Sequence, residues 1–188
     1  MDQGRQLRMQ SALGRCAQGD SLAFAEIVQE HQAMVFSIGW HYLQDRGLAE
    51  DVAQEVFLEL YQKLSTIESA EHLTYWLRRV TVNRCIDQGR RKKHRREQAL
   101  EDAPEPASGD SHADPLLMGR LQQTVASLPE RQRMMVVLRY QEGLGPAEIA
   151  EVMEMPVNTV KSSLHRTLEE LRKKLSRKLL GEIRYAIF

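Results

Sequence analysis

The chain has 188 residues, of which 42% are hydrophobic and 28% charged, the composition of one medium globular domain or two small ones. Its formal net charge is zero and it has only two cysteines, which argues against a disulfide framework and against a cysteine-based zinc site. No apolar run approaches the ~20 residues that cross a bilayer and no signal peptide is recognisable, so we expect a cytoplasmic protein with no direct membrane insertion.

The zero net charge is the sum of two opposed blocks. Residues 78–96 carry nine Arg or Lys and one acid, whereas residues 97–114 carry six acids and no Arg or Lys. The acidic block is rich in proline and small polar residues, and it cannot bury enough apolar surface to offset the entropy of ordering. We therefore expect a first domain in residues 1–96, a flexible acidic linker in residues 97–115 and a second domain in residues 116–188.

Apolar residues recur at helical spacing in both expected domains, and the alternating patterns typical of strands are nearly absent. In the first domain these stripes span residues 24–42, 48–60 and 73–80. In the second, we expect a helix near residues 116–128, followed by one that Ser127 and Glu130 would open, since these two residues have the spacing of a capping box. The prediction is an all-α fold made of two small helical domains.

The stretch GPAEIAEVMEMPVNTVKSSLHRTL, residues 145–168, predicts two helices joined by a short turn at residues 153–155. This spacing fits a helix-turn-helix, whose second helix enters the major groove of DNA. Ala150 is expected where the two helices cross, and Glu154 stands in the turn where many such motifs have glycine. Three apolar residues are expected to fill the core between the helices: Ile149, Val157 and Val160.

The second helix of this motif has an unusual outer face. Thr159, Ser162 and Arg166 lie opposite its apolar stripe, at about 100° per residue. Short hydroxyl side chains let a helix enter a groove, and an arginine can donate two hydrogen bonds to one guanine. Lys161 lies at the edge of this face, where it is better placed for a phosphate. We expect this face to contact DNA rather than to be an ordinary solvated surface.

A second candidate for nucleic-acid binding lies at the end of the first domain. Trp76 begins a helical segment that leads into six positive charges between Arg90 and Arg96. Such a cluster is typical of salt-sensitive binding to phosphates, although a solvated basic tail would have the same composition. We expect Trp76 itself to lie in the core rather than to stack on bases.

Three stretches, in this order, resemble the bacterial RNA polymerase sigma factors, and among them the small extracytoplasmic-function (ECF) group. They are DRGLAEDVAQEVFLELYQKL, TYWLRRVTVNRCIDQGRR and SLPERQRMMVVLRYQEGLGPAEIAEVMEMPVNTVKSSLHRTLEELRKKL. The first two resemble sigma region 2 and the third resembles region 4, and region 3 is missing, as in the ECF group. The resemblance implies a promoter-specificity subunit that recognises the minus-10 and minus-35 elements and opens DNA, with no cofactor and no catalysis of its own.

The resemblance also implies partners. It implies binding to core RNA polymerase, through the clamp helices of the largest subunit and through the flap, and binding to promoter DNA and to an anti-sigma protein. In the family, the helix that corresponds to residues 51–61 docks on the clamp helices. Four residues stand at the docking positions: Asp51, Gln54, Glu55 and Leu58.

The DNA-binding positions of the family fall in both domains. For the minus-10 element, Asn83 stands at the family's reading asparagine, Arg84, Arg90 and Arg91 fit contacts with the DNA backbone, and the loop of residues 65–72 matches the one that holds a flipped-out base. For the minus-35 element, the candidates combine the exposed face described above with the family positions: Thr159, Lys161, Ser162, Ser163, His165 and Arg166.

Two alternatives from other classes stay open at this point. A stand-alone dimeric helix-turn-helix regulator would also contain residues 145–168, but it needs neither the basic block nor a linker. An enzyme such as a metal-dependent nuclease would need clustered carboxylates, and we recognise no such spacing, no nucleophile–base set and no metal ligands. We therefore expect a protein that is not an enzyme.

Overall fold

In the computed structural model, the backbone is described for residues 3–99 and 115–186, and the side chains for residues 3–95, 119 and 121–176. Within these ranges the regular elements are all helical, as predicted: α1 Gln3–Ala17, α2 Ser21–Leu43, α3 Arg46–Lys63, a short 3-10 helix Leu64–Thr66, α4 Ala70–Ala99, α5 Pro115–Ala126, α6 Glu130–Tyr140, α7 Pro146–Val152 and α8 Val157–Ala186. The chain divides into two compact units, Met1–Lys93 and His94–Phe188. Among the described helices, none is both long and apolar enough to cross a bilayer.

Helices α2 and α3 form the centre of the first unit. Asp20 caps α2 by accepting hydrogen bonds from the N–H groups of Leu22 (2.9 Å) and Ala23 (3.3 Å), which satisfies donors that a helix start leaves unpaired. Their predicted apolar stripes form the core, with fully buried members in α2 and in α3: Ile27, Val35, Ile38, Tyr42, Val52, Val56 and Leu60. At Gly39 the two helices approach so closely that an added Cβ would lie 3.3 Å from Ala49 Cα.

Helix α1 lies in a segment for which we predicted no helix. It buries Met9, Ala12 and Leu13, spaced by three and one residues, and packs against α2 and the 3-10 helix. Arg15 ties it to α2 by ion pairs with Asp20 (3.2 Å) and Glu26 (2.5 Å). The apolar face of α1 is short, and its other large apolar residue, Leu7, is 72% exposed, so no clear helical period marks this segment in the sequence.

Helix α4 extends from the predicted third stripe through the basic block. Leu73 and Leu77 are fully buried, and Trp76 is half-buried against the unit. The helix continues to Ala99, three residues into the segment expected to be the linker. The rest of that segment, residues 100–114, lies outside the described residues.

The second unit contains the predicted helix-turn-helix, in α7 and α8. Ile149 and Val160 are fully buried and Ala150 is 4% exposed, which fits the expected crossing of the helices. Glu154 has a φ of 52°, in the left-handed region, which gives a physical reason for the glycine common at this turn. Met155 N–H then donates to Ala150 O at 2.9 Å and closes the turn.

Two details of this unit were predicted wrongly. Val157 is 38% exposed and is not a core residue, because it stands in the first turn of α8, at the edge of the contact with the seven-residue α7. The capping box of Ser127 and Glu130 is also absent. Ser127 Oγ donates instead to Thr124 O at 2.7 Å, and Pro129 is the residue before the first turn of α6, so the proline and not the serine begins that helix.

Candidate functional site

The outward face of α3 is built from residues spaced three and four apart, opposite its buried stripe. Asp51 and Gln54 are exposed, and Leu58 is 64% exposed. Tyr61, one turn further on, is 63% exposed while its ring contacts Phe24 edge-on at 5.2 Å. An exposed helix face that mixes acids with large apolar side chains is typical of a protein-binding surface. Tyr61 extends this face beyond the residues predicted from the sequence.

Glu55, the fourth predicted docking residue, is half-buried and paired within the unit. Its Oε2 lies 3.0 Å from Arg84 Nη1, and Arg84 Nη2 lies 2.8 Å from Glu59 Oε2. Glu59 also accepts from Lys63 Nζ at 2.8 Å. Arg84, a predicted DNA contact, thus pairs with two carboxylates on successive turns of α3, and one of them, Glu55, is a predicted polymerase contact. We call Arg84, Glu55 and Glu59 the fork.

The fork changes the protonation behaviour of its members. The hydrogen bond from Arg84, followed by that from Lys63, lowers the pKa of Glu59, and the hydrogen bond to Glu59 raises the pKa of Arg84. Both groups are therefore held in their charged forms. Glu59 is a functional candidate that the sequence did not reveal, because 25 residues separate it from Arg84.

The outward face of α4 carries the other minus-10 candidates. Asn83 and Arg90 are exposed and lie seven residues apart, on the same side of the helix, whereas Arg91 is exposed on the neighbouring side. Arg90 Nη1 lies 3.7 Å from Asp87 Oδ1. Lys92 is half-buried and pairs with Asp45 at 2.9 Å, so this lysine of the basic block holds α4 to the start of α3. Its hydrogen bond lowers the pKa of Asp45.

The loop of residues 65–72 leads into α4. It comprises the end of the 3-10 helix, the extended residue Ile67 and the first turn of α4. Ser65, Thr66 and Glu68 are exposed. The loop is therefore open to solvent along the side of the unit where α4 begins, and it is continuous in sequence with the helix that carries Asn83.

The outward face of α8 lies as the sequence predicted. Thr159, Lys161, His165 and Arg166 are exposed, and Ser162 and Ser163 are half-buried. Ser162 Oγ donates to Thr159 O at 3.1 Å, and His165 Nε2 lies 3.5 Å from Glu169 Oε1. Val160 and Leu164 are buried on the other side, so the backbone of α8 is anchored while this face is accessible. The arrangement suits insertion into the major groove.

In the part of the chain that the structure describes, no group of three or more His, Cys, Asp or Glu comes together that could hold a metal ion. The candidate residues instead lie on α3, α4 and α8, and the ion pairs of Arg84 join those of α3 to those of α4. Their chemistry is that of binding surfaces: carboxylates with apolar side chains on α3, and cationic or hydroxyl side chains on α4 and α8.

Comparison with known proteins identifies the family. Sigma-70 region 2 matches residues 27–96, and Sigma-70 region 4 matches residues 118–171. The ECF RNA polymerase sigma-E factor of Escherichia coli (strain K12) is 33% identical over 183 residues, covering 90% of this chain and 95% of that protein. The ECF RNA polymerase sigma factor SigW of Bacillus subtilis (strain 168) is 29% identical over 185 residues, covering 90% and 98%.

A solved structure shares the fold. The sigma factor RpoE of Bartonella quintana, in complex with the anti-sigma factor NepR, superposes with a TM-score of 0.68 at 18% identity, over 81% of this chain and 96% of that one. The two family regions follow each other in the order expected from the sequence, and the matched relatives are covered over nearly their whole length. The chain therefore belongs to the ECF sigma factors, the promoter-specificity subunits of bacterial RNA polymerase.

Proposed function

We propose that three exposed faces divide the work of initiation: α3 binds core polymerase, α4 with the preceding loop binds the melted minus-10 element, and α8 reads the minus-35 element. The observation that carries this proposal is the α8 face, where Thr159, Ser162 and Arg166 point away from a buried stripe. Nothing in this division requires a second copy of the chain, in contrast to a dimeric regulator. The family membership also does not favour that alternative.

The polymerase contact is assigned to the exposed part of α3. Asp51, Gln54 and Leu58 offer hydrogen-bonding groups and apolar area to a partner, and in an interface a few such anchor residues, when truncated, cost roughly 2 kcal/mol or more of binding. Glu55 would contribute in part, since one of its oxygens is already occupied by Arg84. The clamp helices of the largest subunit are the expected partner, and the flap is expected to bind the second unit.

A double variant tests this assignment. Asp51→Ala with Gln54→Ala should weaken binding to core polymerase about tenfold or more, because both side chains are exposed and neither supports the fold. The matched control is Gln29→Ala with Gln32→Ala, which removes two exposed polar side chains at the same spacing from α2 and leaves the ion pair of Glu26 with Arg15 intact. Equal polymerase affinity of the folded test and control variants would refute the assignment of α3.

The minus-10 contact is assigned to α4. Asn83 would read an unpaired base, and Arg90 and Arg91 would bind the DNA backbone, roles that the exposure of all three side chains supports. Arg84 has donors left after its two ion pairs, because a guanidinium carries five N–H groups. Arg84 would thus bind phosphate through the N–H groups that its two carboxylate partners leave unused.

The minus-35 contact is assigned to six residues of α8, which comprise a reading centre and a phosphate-binding rim: Thr159, Lys161, Ser162, Ser163, His165 and Arg166. Arg166→Ala should cost about 1–3 kcal/mol of discrimination at one base position, the range for a bidentate arginine–guanine contact. Lys161→Ala should weaken all promoters alike and lower the salt slope by about one. An equal loss on every promoter for Arg166→Ala would show that this arginine contacts only the backbone.

The remaining roles follow from the same division. The chain binds and positions DNA, and the chemistry of RNA synthesis belongs to the polymerase, so we propose that it is not an enzyme and needs no cofactor. Its site of action would be the cytoplasm, with the polymerase. An anti-sigma protein is a further expected partner, supported by the complex in which the Bartonella quintana sigma factor was solved.

A further inference from the structure

Helix α1 lies outside the residues that match Sigma-70 region 2, which begin at residue 27. It is nevertheless an integral part of the first unit. It buries Met9, Ala12 and Leu13, and it is tied to α2 by ion pairs of Arg5 with Glu30 and of Arg15 with Asp20 and Glu26. It also contacts the 3-10 helix Leu64–Thr66, whose end belongs to the loop of residues 65–72. A helix held in this way can position what it touches.

The first turn of α4 receives a hydrogen bond from α1. A helix start leaves its first N–H groups without partners inside the helix. Ser69 supplies two local acceptors, its Oγ for His72 N–H (3.1 Å) and its carbonyl for Leu73 N–H (2.9 Å). The N–H of Ala70 is satisfied by Gln10 Oε1 at 3.0 Å, across 60 residues of sequence. Ala70 is only 6% exposed whereas Gln10 is exposed, so this hydrogen bond lies at the edge of the unit's surface.

The rest of the loop is held only by local hydrogen bonds. Thr66 Oγ donates to Lys63 O at 2.7 Å, and Glu68 N–H donates to His72 Nδ1 at 3.3 Å. These bonds fix the local shape of the loop, and packing of the 3-10 helix against α1 and α3 helps to fix its place on the unit. Gln10 adds a hydrogen bond from another helix at the point where the loop joins α4, so its side chain helps to set where the loop ends relative to α1.

We propose that Gln10 is a positioning residue for promoter opening: by accepting from Ala70 N–H, it holds the loop of residues 65–72 where an unpaired minus-10 base is captured. The inference rests on the proposed function of that loop. Losing this hydrogen bond between α1 and α4 should lower capture of the base about 5–10-fold, whereas binding to polymerase through Asp51 and Gln54 of α3 should be unchanged.

The test uses holoenzyme reconstituted with core polymerase of the same bacterium. The probe is a forked DNA with an unpaired minus-10 strand, taken from promoters that the wild-type holoenzyme selects out of a random library. A second probe has an abasic site in place of the captured base. Gln10→Ala should reduce affinity for the intact fork about 5–10-fold and should leave affinity for the abasic fork unchanged.

Two further variants separate positioning from general loss of structure. Gln10→Glu keeps an acceptor oxygen and places a negative charge at a helix N-terminus, so it should restore most of the affinity. Gln3→Ala removes an exposed glutamine from the same helix and should bind like the wild type. Equal losses on intact and abasic forks, or no rescue by Gln10→Glu, would overturn the role of Gln10. A wild-type holoenzyme that does not distinguish the two forks would instead overturn the proposed function of the loop.

Discussion

The fork between Arg84, Glu55 and Glu59 provides a direct test of how α3 and α4 are held together. Each carboxylate pairs with one guanidinium nitrogen, at 3.0 Å and 2.8 Å, and the side chains are partly exposed, 42% for Arg84 and 20% for Glu59. Exposed ion pairs contribute roughly 0.2–1 kcal/mol each. The Arg84–Glu59 pair has the shorter contact and the less exposed acid, so we expect a coupling free energy of about 0.5–1 kcal/mol, near the upper end of that range.

A double-mutant cycle measures this coupling. Arg84→Ala, Glu59→Ala and the double variant are unfolded in urea as full chains, with tryptophan fluorescence as the signal. Both tryptophans of the protein, Trp40 and Trp76, belong to the first unit, so the signal reports on the unit that contains the fork. The coupling should shrink at 1 M salt, where the Debye length falls to about 3 Å.

The pH dependence of the coupling has a defined sign. Because Arg84 and Lys63 lower the pKa of Glu59, the stability that this carboxylate contributes is present above its ordinary pKa of 4.5 and is lost as the pH falls through the lower value in the folded state. A coupling indistinguishable from zero at neutral pH and low salt would refute the structural role of the fork. Arg84 would then be available to DNA alone.

Two further predictions concern stability. Burial lowers the pKa of His31, so the unfolded chain binds a proton more readily than the folded one, and the free energy of unfolding should fall as the pH drops below about 6.5. In urea titrations at pH 7.5 and 5.5, the free energy of unfolding should differ less between the two pH values for His31→Gln than for the wild type. Glu154→Gly should stabilise the helix-turn-helix by about 0.5–1 kcal/mol, because φ is positive there, whereas Glu151→Gly inside α7 should destabilise it by a similar amount; hydrogen exchange of the α7 and α8 amides measures both.

The sequence was sufficient for the fold class and for most core residues because burial on one side of a helix leaves a period in the sequence. Val52, Val56 and Leu60 in α3 were assigned to the core on that basis and are fully buried. The apolar period shows which side of a helix is buried, but it does not show how far along that side the neighbouring helix extends. For that reason Val157, on the correct stripe, was assigned to the core although it is 38% exposed.

In the candidate sites too, features set within one helix could be predicted from the sequence, whereas contacts between helices could not. Exposure of Thr159 and Arg166 on α8 follows from their angle to the buried stripe, and the structure agrees. The fork of Arg84 and the acceptor role of Gln10 depend on contacts across 25 to 60 residues of sequence. Such contacts are fixed by how far apart packed helices lie, and a single sequence contains no direct record of that distance.

The structure also changes the physical account of the basic block. Described acids within the first unit already neutralise part of this block. Glu55 and Glu59 pair with Arg84, Asp45 pairs with Lys92, and Asp87 lies near Arg90. Three of these acids are contributed by α3 or its N-cap, the helix proposed to bind polymerase. A partner that draws Glu55 toward its own surface would leave Arg84 less neutralised, so binding of polymerase at α3 and binding of phosphate at α4 would favour each other.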